Sequence, residues 1–175
     1  MVHELAEFER AADQCHLTAG QLETAMFGPR PQVFGHVAAD AAGEPIGFAL
    51  WYVNFSTWEG THGVHLEDLF VRPAARGTGA GRALLAALAA LCVERGYRRL
   101  EWVMLDWNPA ADFYAAIGAT VVKDWVPYRL TGEPLHRLAS SPPGEAAVVT
   151  PGEARVVPPG ETRVTPGEGR SRQTK

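Results

Sequence analysis

Apolar residues recur at two different periods along this chain, and the switches between them mark its elements. Over residues 2–13, Leu5, Phe8 and Ala12 share one helical face. Thr18-Ala19-Gly20-Gln21 is a capping box, since the Thr hydroxyl and the Gln amide can each serve the other's backbone N–H. It predicts a short helix through Met26, stopped by Gly28-Pro29. Alternation then takes over: 33–39 reads as a strand, 40–44 as its turn, and 46–55 as a strand pairing back in a hairpin. Residues 65–71 form a third strand. Residues 82–95 predict the longest helix, with Leu84, Leu85, Leu88, Leu91 and Cys92 along one face and Gly96 as its C-terminal cap. A strand over 99–105 follows. Asn108-Pro109 should cap and start a helix through Ile117, closed by Gly118. Residues 119–126 and 128–130 read as two more strands, with Trp102 and Trp125 in the sheet core. Antiparallel strands followed by β-α-β-α-β predict an α/β domain with a mixed sheet.

The pattern stops at residue 140. Pro-Gly-Glu recurs there at Pro143, Pro151, Pro159 and Pro166, and no aromatic residue appears. Such a stretch cannot bury enough apolar surface to offset its ordering entropy. The expected division is a folded domain over 1–139 and a disordered tail over 140–175. A length of 175 residues with 46% hydrophobic positions suits one soluble domain. No apolar run approaches the ~18 residues that span a bilayer. The N-terminus lacks the basic and apolar regions of a secretory signal. Cys15 and Cys92 are too few for a disulfide framework or a four-thiolate zinc site, so the chain reads as cytoplasmic. The net charge is -4; the tail carries +1, which leaves about -5 on the domain. That excludes a general nucleic-acid binder and tilts the choice towards a cationic substrate.

The segment Val71-Arg72-Pro73-Ala74-Ala75-Arg76-Gly77-Thr78-Gly79-Ala80-Gly81-Arg82 carries the clearest chemistry. Closely spaced glycines at a helix start leave backbone N–H groups uncovered at the positive end of the helix dipole, a cradle suited to a pyrophosphate. A phosphate loop of the Walker type needs Lys and then Ser/Thr after its last Gly, where Arg82-Ala83 stand. The dinucleotide fingerprint needs G-x-G-x-x-G, and Gly77, Gly79 and Gly81 are spaced by two. Both fail. His62, His65 and Glu67 lack the spacing and further ligands of a metal site, so no metal is expected. Cys15 and His16 are sequence neighbours and do not face each other as a nucleophile pair would.

What fits is R-x-x-G-x-G, with Arg76, Gly79 and Gly81 in place. It resembles the acetyl-CoA pyrophosphate loop of the GNAT N-acetyltransferases. Leu66-Glu67-Asp68-Leu69-Phe70-Val71, Trp107-Asn108, Phe113-Tyr114 and the Trp51-Tyr52 to Trp58 stretch narrow the resemblance to the spermidine/spermine branch, which includes thialysine acetyltransferases. The similarity runs from about Leu5 to Leu138. It implies the GNAT fold, a mixed, mostly antiparallel central sheet flanked by helices. Members usually begin with a strand and half a helix that precede this sequence, so either the start lies at an internal codon or the first strand is missing, and its loss would put 33–39 at the sheet edge.

The resemblance also implies roles. Residues Arg76, Gly77, Thr78, Gly79, Ala80, Gly81 and Arg82 would bind the cofactor phosphates. Leu69, Phe70 and Val71 would offer backbone groups to the pantetheine and the thioester carbonyl. Glu67 would be the base and Asp68 an amine-binding carboxylate, with Glu9, Trp58 and Tyr128 lining the amine site. Regular alternation sends Glu67 and Asp68 to opposite faces, so the residues alone predict no carboxylate dyad. On spacing alone Tyr114 reads as core beside Phe113 and Ile117, and Asn108 as a helix cap. The family position makes Tyr114 the proton donor to the leaving thiolate and brings Asn108 to the cofactor.

The expected activity is acetyl-CoA-dependent transfer to a primary amine of a small cationic substrate (polyamine, diamine or lysine-like amino acid) by direct attack in a ternary complex. A homodimer is expected, with neither nucleic acid nor membrane as partner. A protein or peptide N-acetyltransferase and a non-catalytic acetyl-CoA-binding module are the alternatives.

Overall fold

Two long alternating segments build the centre of the sheet. β2 (Pro45–Ser56) and β3 (Thr61–Val71) pair antiparallel through a turn at 57–60. β1 (Phe34–Ala39) pairs antiparallel with β2 after a turn in which the Asp40 carboxylate accepts the N–H groups of Ala42 and Glu44 at 2.9 Å. β4 (Leu100–Glu101) joins β3 in parallel, giving the order β1-β2-β3-β4 with β1 at the edge. The computed structural model describes residues 1–141; all but the first two residues of the expected 140–175 tail lie outside them. The described residues divide into two units, Met1–Thr120 and a second that begins at Val121. Among the described residues no helix is long and apolar enough to cross a membrane.

Both faces of the sheet are covered. On one, Leu84, Leu85, Leu88 and Cys92 of α3 (Ala80–Glu94) pack against Ala49, Trp51, Val64 and Leu66. On the other, Phe48, Leu50 and Phe70 meet Leu5 of α1 (Val2–Phe8) and Leu22 and Met26 of α2 (Ala19–Phe27). Each fully buried leucine contributes on the order of 1.5–3 kcal/mol. The Thr18/Gln21 capping box forms as the sequence predicts. Gly96 ends α3 in a left-handed conformation (φ 68°), so that the Tyr97 N–H reaches the Cys92 carbonyl. This is the mixed, mostly antiparallel sheet flanked by helices that the sequence implied.

One irregularity shapes the rest. Leu50 pairs with Asp68 but Trp51 pairs with Leu66, so Glu67 is an extra residue on β3. Before this bulge, Val64 and Leu66 face α3; after it, Leu69 and Val71 do. An inserted residue shifts the parity of the strand and bends it. The ladder to β4 accordingly stops at His65↔Glu101, short of the bulge.

That bend corrects the expected strand over 99–105, of which only Leu100–Glu101 is paired. The expected helix over 2–13 ends at Phe8, because Arg10 turns left-handed (φ 59°) and the N–H groups of Arg10 and Ala11 return to the carbonyls of Glu7 and Ala6. Asn108 does not cap a helix directly. Its Oδ1 accepts the Ala110 N–H at 3.0 Å in a side-chain turn, and α4 (Ala111–Ala116) starts afterwards. No strand forms over 119–126 or 128–130. β-propensity stabilises only where a neighbouring strand supplies the ladder, and Pro127 has no N–H to give. In the second unit α5 (Gly132–Ala139) follows this irregular stretch, and Trp125 is 70% exposed rather than core.

Candidate functional site

A cavity of about 520 Å³ opens where β3 bends away from the chain that continues β4. Its walls are the outgoing half of β3, the glycine loop, Val103 and Met104 after β4, and Asn108 with α4. α1 closes one side with Leu5, Phe8 and Glu9.

At one end, a turn over Pro73–Ala75 delivers Arg76 and then the glycines. The Arg76 Nε–H donates to the Val71 carbonyl at 3.1 Å, and its guanidinium lies 4.8 Å from the Phe8 ring centroid. Gly79 is left-handed (φ 91°) and forms the N-terminal boundary of α3, a conformation that penalises any side chain. Gly81 differs. A Cβ there would sit 3.7 Å from Phe113 and Val71, an ordinary contact, so packing does not demand glycine. An open approach to the backbone does. The first N–H groups of α3 have no partner within the helix, and with Arg76 and Arg82 on the cavity wall they suit a pyrophosphate.

At the other end the bulge corrects the expectation about the two acidic residues. Glu67 and Asp68 both line the cavity. Burial pushes the Asp68 carboxyl up to about 6, with the charges of Glu67 and Glu9 adding to the rise. Burial also raises Glu9. Tyr114 is half-buried on α4, with its ring 4.8 Å from Trp102 and 5.3 Å from Phe113. Burial first, then the Glu9 charge, raises its hydroxyl, which keeps it a proton donor.

Of the residues singled out from the sequence, Glu9, Glu67, Asp68, Leu69, Phe70, Val71, Arg76, Gly77, Gly79, Ala80, Gly81, Arg82, Asn108 and Tyr114 meet around this one cavity. Two others of the first unit do not line it. Thr78 turns its hydroxyl to the Ala75 carbonyl at 2.7 Å and braces the loop. Trp58, 83% exposed, sits on the β2–β3 turn, roughly 20 Å along the strand from Asp68. Tyr128 belongs to the second unit and is 95% exposed. Sequence reasoning missed Phe8, Val103 and Met104. Phe8 was legible only as part of an apolar stripe, and nothing local separates a stripe residue that ends at a cavity from one that ends in the core.

Residues 2–119 match the model of the acetyltransferase (GNAT) family. The chain belongs to that family. It is 35% identical to the thialysine N-epsilon-acetyltransferase of Bos taurus over 151 residues, covering 80% of this chain and 88% of that protein. The Caenorhabditis elegans thialysine N-epsilon-acetyltransferase is 36% identical over 144 residues, again covering 80% and 88%. An integron cassette protein of V. cholerae shares the fold with a TM-score of 0.66 at 28% identity, over 79% of this chain and 86% of that one. This GNAT protein is an N-acetyltransferase of the branch that holds the thialysine and spermidine/spermine enzymes.

Proposed function

We propose that the chain transfers an acetyl group from acetyl-CoA to a primary amine of a small cationic substrate (polyamine, diamine or lysine-like amino acid), with both substrates bound together. One observation carries the reading: a single cavity holds an anion cradle, two neighbouring carboxylates and a protonated phenol. When bound, acetyl-CoA supplies the thioester carbon that the amine attacks.

The chain's own groups divide the remaining work. The N–H groups at the start of α3, with Arg76 and Arg82, hold the phosphates. The backbone of Leu69 to Val71 orients the pantetheine arm. Asp68 takes the proton from the ammonium, because a carboxyl held near 6 is closer to working pH than an ordinary aspartate. Glu67, exposed at the bulge, and Glu9 hold the positive charge of the amine. This reverses the roles that the family resemblance gave Glu67 and Asp68, and burial is the reason. The Tyr114 hydroxyl protonates the departing sulfur. A thiol-release assay across di- and polyamines, lysine-like amino acids and peptide N-termini tests the proposal. Turnover confined to peptides would favour the protein acetyltransferase, and acetyl-CoA binding without any turnover the non-catalytic module.

A homodimer is part of the same proposal. It is supported by the exposed apolar side chains Val121, Val122 and Val126. A monomeric mass at assay concentration with full turnover would refute it.

A further inference from the structure

α1 brings Phe8 and Glu9 to the cavity but has little of its own to hold it there. It is seven residues long, its N-cap Met1 offers no side-chain bond, and only Leu5 is buried. A helix this short is not stable alone. Leu5 is buried against Phe48, Leu50 and Phe70, with Met1, Val2 and Phe8 packed around the same cluster, and these apolar contacts set how close α1 sits to the sheet without fixing its direction.

Arg72, at the end of β3 where the cofactor loop begins, adds a directional contact. Its Nε and Nη2 donate to the two carboxylate oxygens of Glu4, both at 2.9 Å. The third guanidinium nitrogen donates to the Pro45 carbonyl and the Arg72 backbone N–H to the Ile46 carbonyl, each at 2.9 Å. Arg72 is thus fixed to the start of β2 before it grips α1. Two parallel bonds define an angle as well as a distance. The guanidinium holds the Glu4 carboxyl down at about 2, so the fork persists throughout neutral pH. At the far end of α1, Arg10 lies 5.0 Å over the Trp107 ring and Phe8 is 6.0 Å from the same ring.

We propose that Glu4 and Arg72 are positioning residues for the amine end of the site: their fork sets the rotation of α1 and with it the placement of Glu9 in the cavity. This rests on the acetyltransferase reading above. The backbone N–H groups of the cradle are held by the β2 ladder and by α3, so acetyl-CoA affinity depends on the fork only through the contact of Arg76 with Phe8.

The test compares Glu4→Gln, Glu9→Gln and the double variant in steady-state kinetics, with amide exchange of α1 as an independent readout. Glu4→Gln should raise the amine KM ~5–10-fold while kcat and the acetyl-CoA dissociation constant stay within about twofold. Added to Glu9→Gln it should cost nothing further, because the fork acts through Glu9. Exchange of the Glu9 N–H, bonded to the Leu5 carbonyl, should speed up ~10-fold in Glu4→Gln. An unchanged amine KM, or an equal further rise on top of Glu9→Gln, overturns the inference; a general loss of kcat or melting temperature with KM unchanged marks a merely structural pair. If the parent protein acetylates no amine, the acetyltransferase reading falls, and the exchange arm alone decides: unaltered exchange in α1 defeats the fork.

Discussion

Glu67 and Asp68 are consecutive on β3 and still line one cavity, because Glu67 is the extra residue of a bulge opposite Leu50 and Trp51. A regular strand would send them to opposite faces. Burial first, and then the neighbouring charges of Glu67 and Glu9, push the Asp68 carboxyl up.

The first prediction concerns the pH profile. With Asp68 as base, kcat/KM should fall on the acid side with a midpoint near 6. Glu67→Gln removes a charge that raises Asp68, so its acid limb should move lower. Asp68→Asn should abolish the limb and lower turnover ~10²–10⁴-fold. If the limb instead vanishes in Glu67→Gln and survives in Asp68→Asn, the base is Glu67.

The same carboxyl makes a prediction for stability. Asp68 has an ordinary value of 3.8 and about 6 in the fold. A raised value contributes stability that is full below 3.8 and is lost as the pH climbs through 6. Asp68→Asn should therefore stabilise the chain at pH 8 by roughly 1–2 kcal/mol after solvent screening, and leave pH 4 almost unchanged. Thermal melts at the two pH values check it. A variant that melts higher while losing turnover would mark a charge kept for function.

Gly81→Ala separates fold from cofactor binding. The site has room for the methyl and lies in the first turn of α3, so stability should hold or rise, by about 0.5–1 kcal/mol at most, read from thermal melts. The methyl enters the cradle, so acetyl-CoA affinity should drop about tenfold or more, measured by calorimetry. Unchanged affinity would remove the glycine loop from the cofactor site.

Tyr114→Phe keeps the ring against Trp102 and Phe113 and deletes only the hydroxyl. Acetyl-CoA binding and melting temperature should change little. Turnover should fall ~10²–10⁴-fold if the hydroxyl protonates the sulfur. A nearly unaltered rate would return Tyr114 to the core.

Truncation after Ser140 tests the proposed division of the chain. The Pro-Gly-Glu composition of the tail carries no apolar period able to join a core. Turnover and melting temperature should stay within error of the full chain. A loss of either would show that the tail docks.

Local chemistry determined a good deal by itself. The capping box at Thr18, the Leu84–Leu85–Leu88–Cys92 stripe and Gly96 were readable because each depends on residues within a few positions of one another. The glycine loop was readable for the same reason, since a helix start and its dipole are local objects. Tertiary structure decided the rest. The bulge at Glu67 depends on how β3 registers against β2, and one extra residue there reversed the faces of everything after it. The arrival of Glu9 beside Asp68 depends on a helix docking across the sheet, held by Arg72, which is 68 residues from Glu4. Strand-forming residues at 119–126 found no ladder, because β-structure exists only between partners and no single segment encodes both.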